Sequence, residues 1–249
     1  MNPPLEVDPG SMPPLISIIT VTKNCVSTLR RTLDSVKVIK ASDIEYIVID
    51  GQSTDGTLDI LGEYRAYVDQ LVSEADTGIY NAMNKGAARA NGQYVLFLNG
   101  DDHLLENGFE EAKKILVDSQ PEILSCTSEV IAEDGTPQGV LKPVLSHLRF
   151  FNTIPHLSTF VSTFLQRKYA FREQYRIAAD YDLFLRMYLA RHRFKLSSAL
   201  VAVHYRGGFS GNVERSLKEI RDIRRDNLSS TTYFMTNAIQ TLNRLRKLL

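Results

Sequence analysis

Cysteine is scarce in this 249-residue sequence: only Cys25 and Cys126 occur, far apart and outside any CxxC pattern. This scarcity argues against a disulfide framework or a thiolate zinc site and favours a reducing compartment. The sequence also lacks an apolar run near the roughly 18 residues of a membrane span, and its start has neither the basic nor the apolar region of a signal peptide. These absences predict a cytoplasmic enzyme, in solution or peripheral at the inner face of the membrane.

Several common catalytic motifs are missing as well. The first predicted strand is followed by TVTKN, where a dinucleotide-binding fingerprint has GxGxxG, and no GxxxxGK[ST] loop occurs. The sequence contains no GxSxG nucleophile elbow, and its five histidines include no HExxH and no close pair. These absences argue against a dinucleotide oxidoreductase, a P-loop ATPase and a zinc hydrolase.

The regular feature of the chain is an alternation of short β-branched runs with helix-period segments, which predicts a largely parallel sheet with crossover helices. A turn cluster at residues 132–136 predicts a hairpin where this rhythm ends, before mixed strands and loops. Strands are predicted over 15–21, 45–50, 69–74, 93–99, 122–128 and 194–203, the first four apolar on both faces or nearly so. Helices are predicted over 28–36, 57–67, 79–90, 109–117, 181–190 and a long C-terminal tract.

Polar and acidic residues follow each of the first four strands. Ligands of parallel sheets bind beyond the carboxyl ends of the strands, so these loops are candidates for a binding site. The same residue types are also ordinary turn formers and helix caps, which is the alternative for any single loop. The candidates are Thr20, Thr22, Lys23 and Asn24; Asp50, Gly51, Gln52, Ser53, Asp55 and Gly56; Glu74, Asp76 and Gly78; and Asn99, Gly100, Asp101 and Asp102.

The sharpest of these loops begins at Asn99, directly after the apolar run YVLFL. Its adjacent carboxylates, Asp101 and Asp102, repel one another unless a cation or hydrogen-bond donors neutralise them. Hard oxygen ligands suit Mg²⁺ or Mn²⁺, which bind through one or two carboxylates plus substrate phosphates. The loop therefore predicts a divalent cation on a diphosphate. Capping of the following helix is the alternative.

Six sequence blocks in this order carry a family resemblance: SIITVTKN, YIVIDGQSTDGT, SEADTGIYNAMNKGAARANGQYVLFLNGDD, IPHLSTF, AADYDLFLRM and GGFSGN. Together they span roughly residues 15–211. They resemble the family 2 glycosyltransferases of the GT-A fold and are most similar to the colanic-acid-type exopolysaccharide subgroup. The resemblance implies an α/β fold with a Rossmann-like, mixed and mostly parallel central sheet flanked by helices, followed by an acceptor region and a helical tail.

The resemblance also assigns roles to residues of the donor side. Thr22 and Asp50 are expected to contact the base and ribose of a nucleoside-diphosphate sugar, and residues 76–85 to support the nucleotide or sugar. Asp101 is expected to hold the metal, as the last Asp of the DxD motif. The first Asp of that motif is Asn99 here, so coordination is expected to rest on Asp101, with Asp102 behind it. The donor-binding residues predicted in this way are Thr22, Asp50, Ser53, Asp76, Lys85, Asn99, Gly100, Asp101, Asp102 and His156.

Glycosyl transfer further needs a base for the proton of the acceptor hydroxyl. Asp180 resembles the catalytic base of the Glu-Asp motif, with Ala179 in place of the Glu; the alternative is an acidic first helical turn. His156 is expected to contact acceptor or diphosphate, although a lone histidine is often structural. His204, Arg206 and the glycine-rich residues 207–211 are either a lid over the diphosphate or a plain turn.

The resulting prediction is a metal-dependent inverting glycosyltransferase that uses Mg²⁺ or Mn²⁺, a nucleoside-diphosphate sugar and a glycan or lipid-linked acceptor. Inversion is implied by the family. A sugar-nucleotide pyrophosphorylase and a non-catalytic nucleotide-sugar-binding module are the alternatives. Residues 1–11 are interpreted as a disordered tag, 12–211 as one domain whose nucleotide-sugar and acceptor halves meet after residue 134, and 212–249 as a helical extension.

Charge is distributed unevenly along this formally neutral chain. Residues 1–134 hold 10 Lys and Arg against 22 Asp and Glu, while residues 135–249 hold 19 against 7. The acidic part is suited to a metal, and the basic part to an anionic donor, a phosphorylated lipid acceptor or a membrane surface. The basic apolar stripe at 239–249 is compatible with a membrane surface, with packing on the body, or with a second copy of the chain. No nucleic-acid partner is predicted.

Overall fold

The structure is a computed structural model that describes residues 13–132, 134–205 and 213–237. Within these ranges nine strands form one mixed sheet, and its order is β3-β2-β1-β4-β8-β6-β9-β5 with β7 also paired to β6. The strands are β1 (Ile16–Thr22), β2 (Ile44–Asp50), β3 (Gln70–Ser73), β4 (Tyr94–Asn99), β5 (His103–Leu104), β6 (Ile123–Ile131), β7 (Pro137–Leu141), β8 (Thr159–Ser162) and β9 (Phe194–Tyr205).

Helices cover both faces of this sheet and create two apolar cores. Side chains alternate along β1, so that Ile16 and Ile18 pack in one core whereas Ile19 and Val21 pack in the other. Helices α1 (Leu29–Ile39), α2 (Thr57–Glu63) and α4 (Glu106–Ser119) bury residues in the first core. Helices α3 (Ile79–Arg89), α5 (Thr163–Tyr169), α6 (Ala179–Leu189) and α7 (Val213–Asn227) bury residues in the second core.

The parallel half of the sheet brings the predicted loops together. β1 lies between β2 and β4, all parallel, and its last residues pair with Asp50 and Asn99 at the ends of those strands. β1 and β2 are buried along their whole length, as predicted. β3 is half-buried, because it is the edge strand of the sheet, so the prediction of burial on both faces was wrong for this strand.

The second half of the chain extends the same sheet with strands of both directions. β8 is antiparallel to both β4 and β6, whereas β9 is parallel to β6. The predicted hairpin is confirmed, since β6 and β7 pair antiparallel around a turn in which the Ala132 N–H donates to the Thr136 carbonyl (2.8 Å).

Several predicted boundaries were wrong. α1 ends at Ile39 and not at residue 36, α4 begins at Glu106 and not at residue 109, and β6 ends at Ile131 and not at residue 128. The second helix ends at Glu63 and is followed by a 3-10 turn, Arg65–Tyr67, so it does not run on to residue 67. β9 reaches Tyr205, two residues beyond the prediction, and therefore includes His204.

Some predictions fall on residues that the structure does not describe. These are the tag at 1–11, the lid at 206–211 and the apolar stripe at 239–249. In the described ranges, no helix combines the length and apolar character that crossing a membrane requires.

Candidate active site

A cavity of about 1290 Å³ opens at the carboxyl ends of β1 and β4. Its wall comes from the loops after these strands, from the start of α3, and from Arg176, Tyr205 and Arg215. Five of the ten predicted donor-binding residues line it: Thr22, Asp76, Asn99, Gly100 and Asp101. The strand-end rule therefore located this cavity correctly.

The wall is closely packed where the loops after β1 and β4 meet. The Thr22 hydroxyl lies 2.6 Å from the Cys25 thiol, and burial raises the pKa of that thiol. A Cβ at Gly100 would lie 2.8 Å from the Cys25 sulfur. Glycine at position 100 thus allows the two loops to touch, and Thr28 fastens them by donating to the Gly100 carbonyl (3.0 Å).

Asp50 and Ser53 lie beneath this wall and line neither this cavity nor a second, smaller cavity beside it. The Asp50 carboxylate is fully buried and accepts hydrogen bonds from Ser53 and Ser73. Ser53 in turn accepts from the Asn24 backbone N–H (2.8 Å). These bonds join the loops after β1, β2 and β3, and direct contact of Asp50 with the donor stays a prediction.

Asp76 and Lys85 belong to the same predicted segment but occupy different positions. Asp76 lines the cavity and accepts from the Gly78 N–H (2.9 Å), which shapes the entry into α3. Lys85 lines neither cavity; its ammonium bonds the Ala75 carbonyl (2.7 Å) and Glu74 (3.0 Å). Lys85 therefore holds the loop that carries Asp76.

Asp101 and Asn99 present oxygen atoms that suit a divalent cation. Burial, and then the nearby Asp102, raise the pKa of Asp101 to about 6. The Asn99 side-chain oxygen is buried without a hydrogen-bond partner. Among the described residues no cluster of three or more His, Cys, Asp or Glu could cage a metal. These oxygen ligands therefore fit a cation that is held by one carboxylate and whose coordination is completed by phosphate oxygens.

Asp102 is fully buried and lies behind Asn99 and Asp101, outside the lining of the cavity. It accepts hydrogen bonds from the Asn99 amide (3.1 Å), the Tyr205 N–H (2.9 Å) and His204 Nδ1 (3.2 Å). Hydrogen-bond donors therefore compensate the charge of Asp102, one of the two adjacent carboxylates. The carboxylate ties the end of β4 to the end of β9.

Arg31 was missed by the sequence reasoning. It lies on α1, donates to the Asp101 carbonyl (2.5 Å) and stacks on the Tyr205 ring, with 3.5 Å from the guanidinium carbon to the ring centroid. Both residues line the cavity. No motif marks a lone arginine inside a helix, so only the packing of α1 against β9 reveals it.

A second cavity, of about 530 Å³, shares part of its wall with the first. Ile79, Asn99, Asp101 and Arg176 line both. The second cavity also contains the predicted residues His156, Asp180 and His204. Apolar side chains from β7 and residues 154–157 form much of its remaining wall.

Asp180 lies in the first turn of α6 and is half-buried. Its Oδ2 accepts from the Asn152 amide (2.8 Å), and its Oδ1 lies 3.3 Å from the Tyr80 hydroxyl. Tyr80 donates to the Ile177 carbonyl (2.8 Å), and burial keeps its pKa well above the ordinary value. Asp182, two residues on, is instead fully buried and forms an ion pair with Arg186 (2.7 Å).

His156 lies deep in the second cavity. Its ring stacks on Phe97 (5.5 Å between centroids) and meets Phe171 edge-on. Burial is the main cause that lowers its pKa, which favours a neutral imidazole. The Nε2 atom is buried without a hydrogen-bond partner. A histidine with a purely structural role would have a hydrogen-bond partner for this nitrogen.

The protein-family sequence model described as Glycosyl transferase family 2 matches residues 17–189 of this chain. Over 96 residues the chain is 41% identical to a PGL/p-HBAD biosynthesis glycosyltransferase of Mycobacterium bovis, covering 37% of this chain and 38% of that protein. Over 128 residues it is 33% identical to TuaG of Bacillus subtilis, named as a teichuronic acid biosynthesis glycosyltransferase, covering 50% of each. The chain thus spans half or less of the length of these relatives.

Among solved structures, S. aureus TarS in complex with UDP-GlcNAc is similar, with a TM-score of 0.70 and 18% identity. The superposition covers 89% of this chain and 70% of that one. At this identity the likeness concerns the fold alone. It confirms the predicted GT-A architecture of a mostly parallel sheet flanked by helices.

Proposed function

The chain belongs to glycosyl transferase family 2, and from that premise we propose that it transfers a sugar from a nucleoside-diphosphate donor to an acceptor hydroxyl with inversion. The larger cavity takes the nucleotide and diphosphate, and the smaller cavity takes the sugar and acceptor. The observation that carries this proposal is their shared wall. Because Asp101 lines both cavities and Asp180 lines the second, the leaving group and the attacking hydroxyl can meet between them.

Asp101 and the Asn99 oxygen are the residues proposed to hold Mg²⁺ or Mn²⁺. A bound cation would supply charge stabilisation to the departing diphosphate. The raised pKa of Asp101 and the unpartnered Asn99 oxygen support this role. Burying a charged carboxylate or an unpartnered oxygen costs free energy, and a bound cation would offset that cost. Arg31 keeps the Asp101 backbone in place from the opposite side.

Asp180 is proposed as the general base. Its carboxylate takes the proton of the acceptor hydroxyl while that oxygen forms a bond to the anomeric carbon. The bond from this carbon to the diphosphate oxygen breaks, and the nucleoside diphosphate leaves with the electron pair. The Asn152 amide orients the carboxylate and leaves its remaining lone pairs for the acceptor. His156 offers its buried Nε2 to acceptor or donor oxygens.

The relatives' names point to cell-surface glycans, because TuaG is named for teichuronic acid biosynthesis. We therefore propose a glycan or lipid-linked acceptor in surface polysaccharide synthesis, used at or near the cytoplasmic face of the membrane. The exposed basic residues of α7 support a contact with anionic lipid. Binding to anionic vesicles that is insensitive to salt would contradict this contact.

Nucleoside-diphosphate release from UDP-, GDP- and dTDP-sugars, with and without Mn²⁺, tests the activity. We expect nucleoside diphosphate to be released from one of these donors and the release to require the cation. Formation of a sugar nucleotide from a nucleoside triphosphate and a sugar phosphate would favour a pyrophosphorylase instead. Saturable donor binding without any release would identify a binding module and overturn the proposal.

A further inference from the structure

Glu219, on α7, makes an unusual set of contacts with the segment that leads into α6. Its two carboxylate oxygens accept three consecutive backbone N–H groups: Arg176 (3.0 Å), Ile177 (2.7 Å) and Ala178 (3.0 Å). Glu219 is buried, with 8% of its surface exposed. Charge-assisted bonds of this kind are roughly twice as strong as neutral ones.

The segment held by Glu219 ends two residues before Asp180, and it also bonds a residue that contacts the Asp180 carboxylate. The Ile177 carbonyl accepts from Tyr80, whose hydroxyl also lies beside Asp180. Ala178 is the N-terminal cap residue of α6 and has no side-chain cap of its own. Without Glu219, the N–H groups of residues 176–178 would have to find water, and the first turn of α6 would lose its anchor.

The contact joins two parts of the chain that are distant in sequence. α7 is itself fixed to the body, because Ile223 is fully buried in the second core. The Arg176 side chain is anchored separately, through its bond to the Thr77 carbonyl. Glu219 also pairs with Arg215 of the larger cavity (3.4 Å), but the Arg215 side chain is about half exposed, so this pair contributes little. Loss of the Glu219 carboxylate should therefore act mainly on the backbone before Asp180.

We propose that Glu219 is a positioning residue: by holding the backbone of residues 176–178, it sets where the Asp180 carboxylate stands in the acceptor cavity. This inference rests on the proposed function, in which Asp180 is the base. A misplacement of about 1 Å in a reacting group can lower a rate by roughly 10²-fold. A buried carboxylate of α7 thereby controls chemistry at a residue that it does not touch.

The test uses Glu219→Gln in the full chain, with Glu45→Gln as the matched control. Glu45 is equally buried (7% exposed) and likewise accepts a backbone N–H, that of Asn91 (2.7 Å), but it pairs with Ser17 at the opposite end of β1. Three quantities are measured for each variant: kcat per folded molecule, the Kd of the nucleoside diphosphate, and hydrogen exchange of the amides of residues 176–178.

We expect Glu219→Gln to lower kcat by about 10- to 100-fold, with a change in nucleotide Kd of less than about threefold and faster exchange at residues 176–178. Glu45→Gln should lower the melting temperature without changing kcat or that exchange. If Glu219→Gln keeps wild-type exchange at 176–178, or keeps wild-type kcat while Asp180→Asn is inactive, the inference is overturned.

Failure of the base assignment gives a different result. Asp180→Asn would then remain active, whereas faster exchange and a lower kcat in Glu219→Gln would still support positioning of this segment. If wild-type protein releases no nucleoside diphosphate at all, the proposed function fails, and the exchange measurement alone decides whether Glu219 anchors the segment.

Discussion

The larger cavity, proposed to bind the donor nucleotide (the donor cavity), and the smaller cavity, proposed to bind the acceptor (the acceptor cavity), share a wall but are assembled differently. The donor cavity is framed by loops that directly follow neighbouring parallel strands, and short polar contacts such as Asn24 to Ser53 join them. In the acceptor cavity, Asp180 is oriented by Asn152 and approached by Tyr80, which lies 100 positions earlier in the chain. The backbone before Asp180 is held from yet another region, by Glu219.

This difference shows which kinds of site a sequence pattern can reveal. A candidate donor loop follows its strand, and parallel strands end at one edge, so strand prediction alone brings these loops to the same edge of the sheet. The acceptor residues come from segments with no common pattern, and their meeting depends on how α6 and α7 pack on the second core. The two cavities should consequently respond differently to substitution.

The largest effect is expected at the acceptor side, for Asp180→Asn. Loss of a general base lowers kcat by about 10² to 10⁴, while nucleotide binding in the other cavity should be unchanged. Transfer kinetics together with calorimetric titration of nucleoside diphosphate measure both quantities. A variant with most of its activity would remove Asp180 as the base and leave the acceptor cavity without an assigned catalyst.

Asp101→Asn should have the next largest effect and should act at the donor side. Removing one group that stabilises the leaving charge costs roughly 10² to 10³ in kcat, and Mn²⁺ should no longer tighten nucleotide binding. The control is Asp59→Asn, since Asp59 is exposed on α2 and lines neither cavity. Undiminished stimulation by Mn²⁺ in Asp101→Asn would contradict the cation assignment.

Asn152→Ala tests whether the acceptor side depends on contacts between distant segments. Asn152 is exposed, and its bond to Asp180 is the contact that this change removes. We expect a decrease in kcat of about tenfold, equivalent to roughly 1.4 kcal/mol, with an unchanged melting temperature. Equal kcat in variant and wild type would mean that Tyr80 and Glu219 suffice to orient the carboxylate.

The smallest catalytic effect is expected for Asp182→Asn, the nearby acid on the same helix. Asp182 is fully buried and pairs with Arg186 and Arg172, and it lines neither cavity. Its loss should lower the free energy of unfolding by about 3 kcal/mol, since one partner of a buried pair is left behind. Chemical denaturation measures this loss, and kcat per folded molecule should stay within about twofold. A large fall in kcat would erase the distinction between the two acids.

Sequence reasoning was most successful where local chemistry and strand order suffice. The alternation of strands and helices predicted the sheet, and the turn at residues 132–136 predicted a hairpin that the structure confirms. Of the predicted donor residues, Asp50, Ser53, Lys85 and Asp102 line neither cavity, because their side chains bond neighbouring loops or, for Asp102, the end of β9. A sequence shows that such a residue follows a strand, but it does not show whether the side chain points outward or beneath the loop.

Arg31 and Glu219 illustrate what could not be predicted. Each lies in a helix without any motif, and each acts on a backbone segment far away in sequence: the Asp101 carbonyl for Arg31 and residues 176–178 for Glu219. The six blocks of the family pattern include neither residue. Only the packing of α1 and α7 against the sheet determines which distant backbone they meet.

The sequence by itself determined the family, the order of the parallel strands' loops and the candidate pair Asp101 and Asp180. The loops and Asp101 follow from residue type, spacing and periodicity, which are properties of neighbours along the chain. The family and the choice of Asp180 follow from the resemblance of six ordered sequence blocks. Tertiary structure decided that Asp101 lines both cavities, that Asp102 turns inward to β9, and that Glu219 anchors the segment before Asp180. Such outcomes depend on burial and on long-range hydrogen bonds, which form only when the helices pack on the sheet.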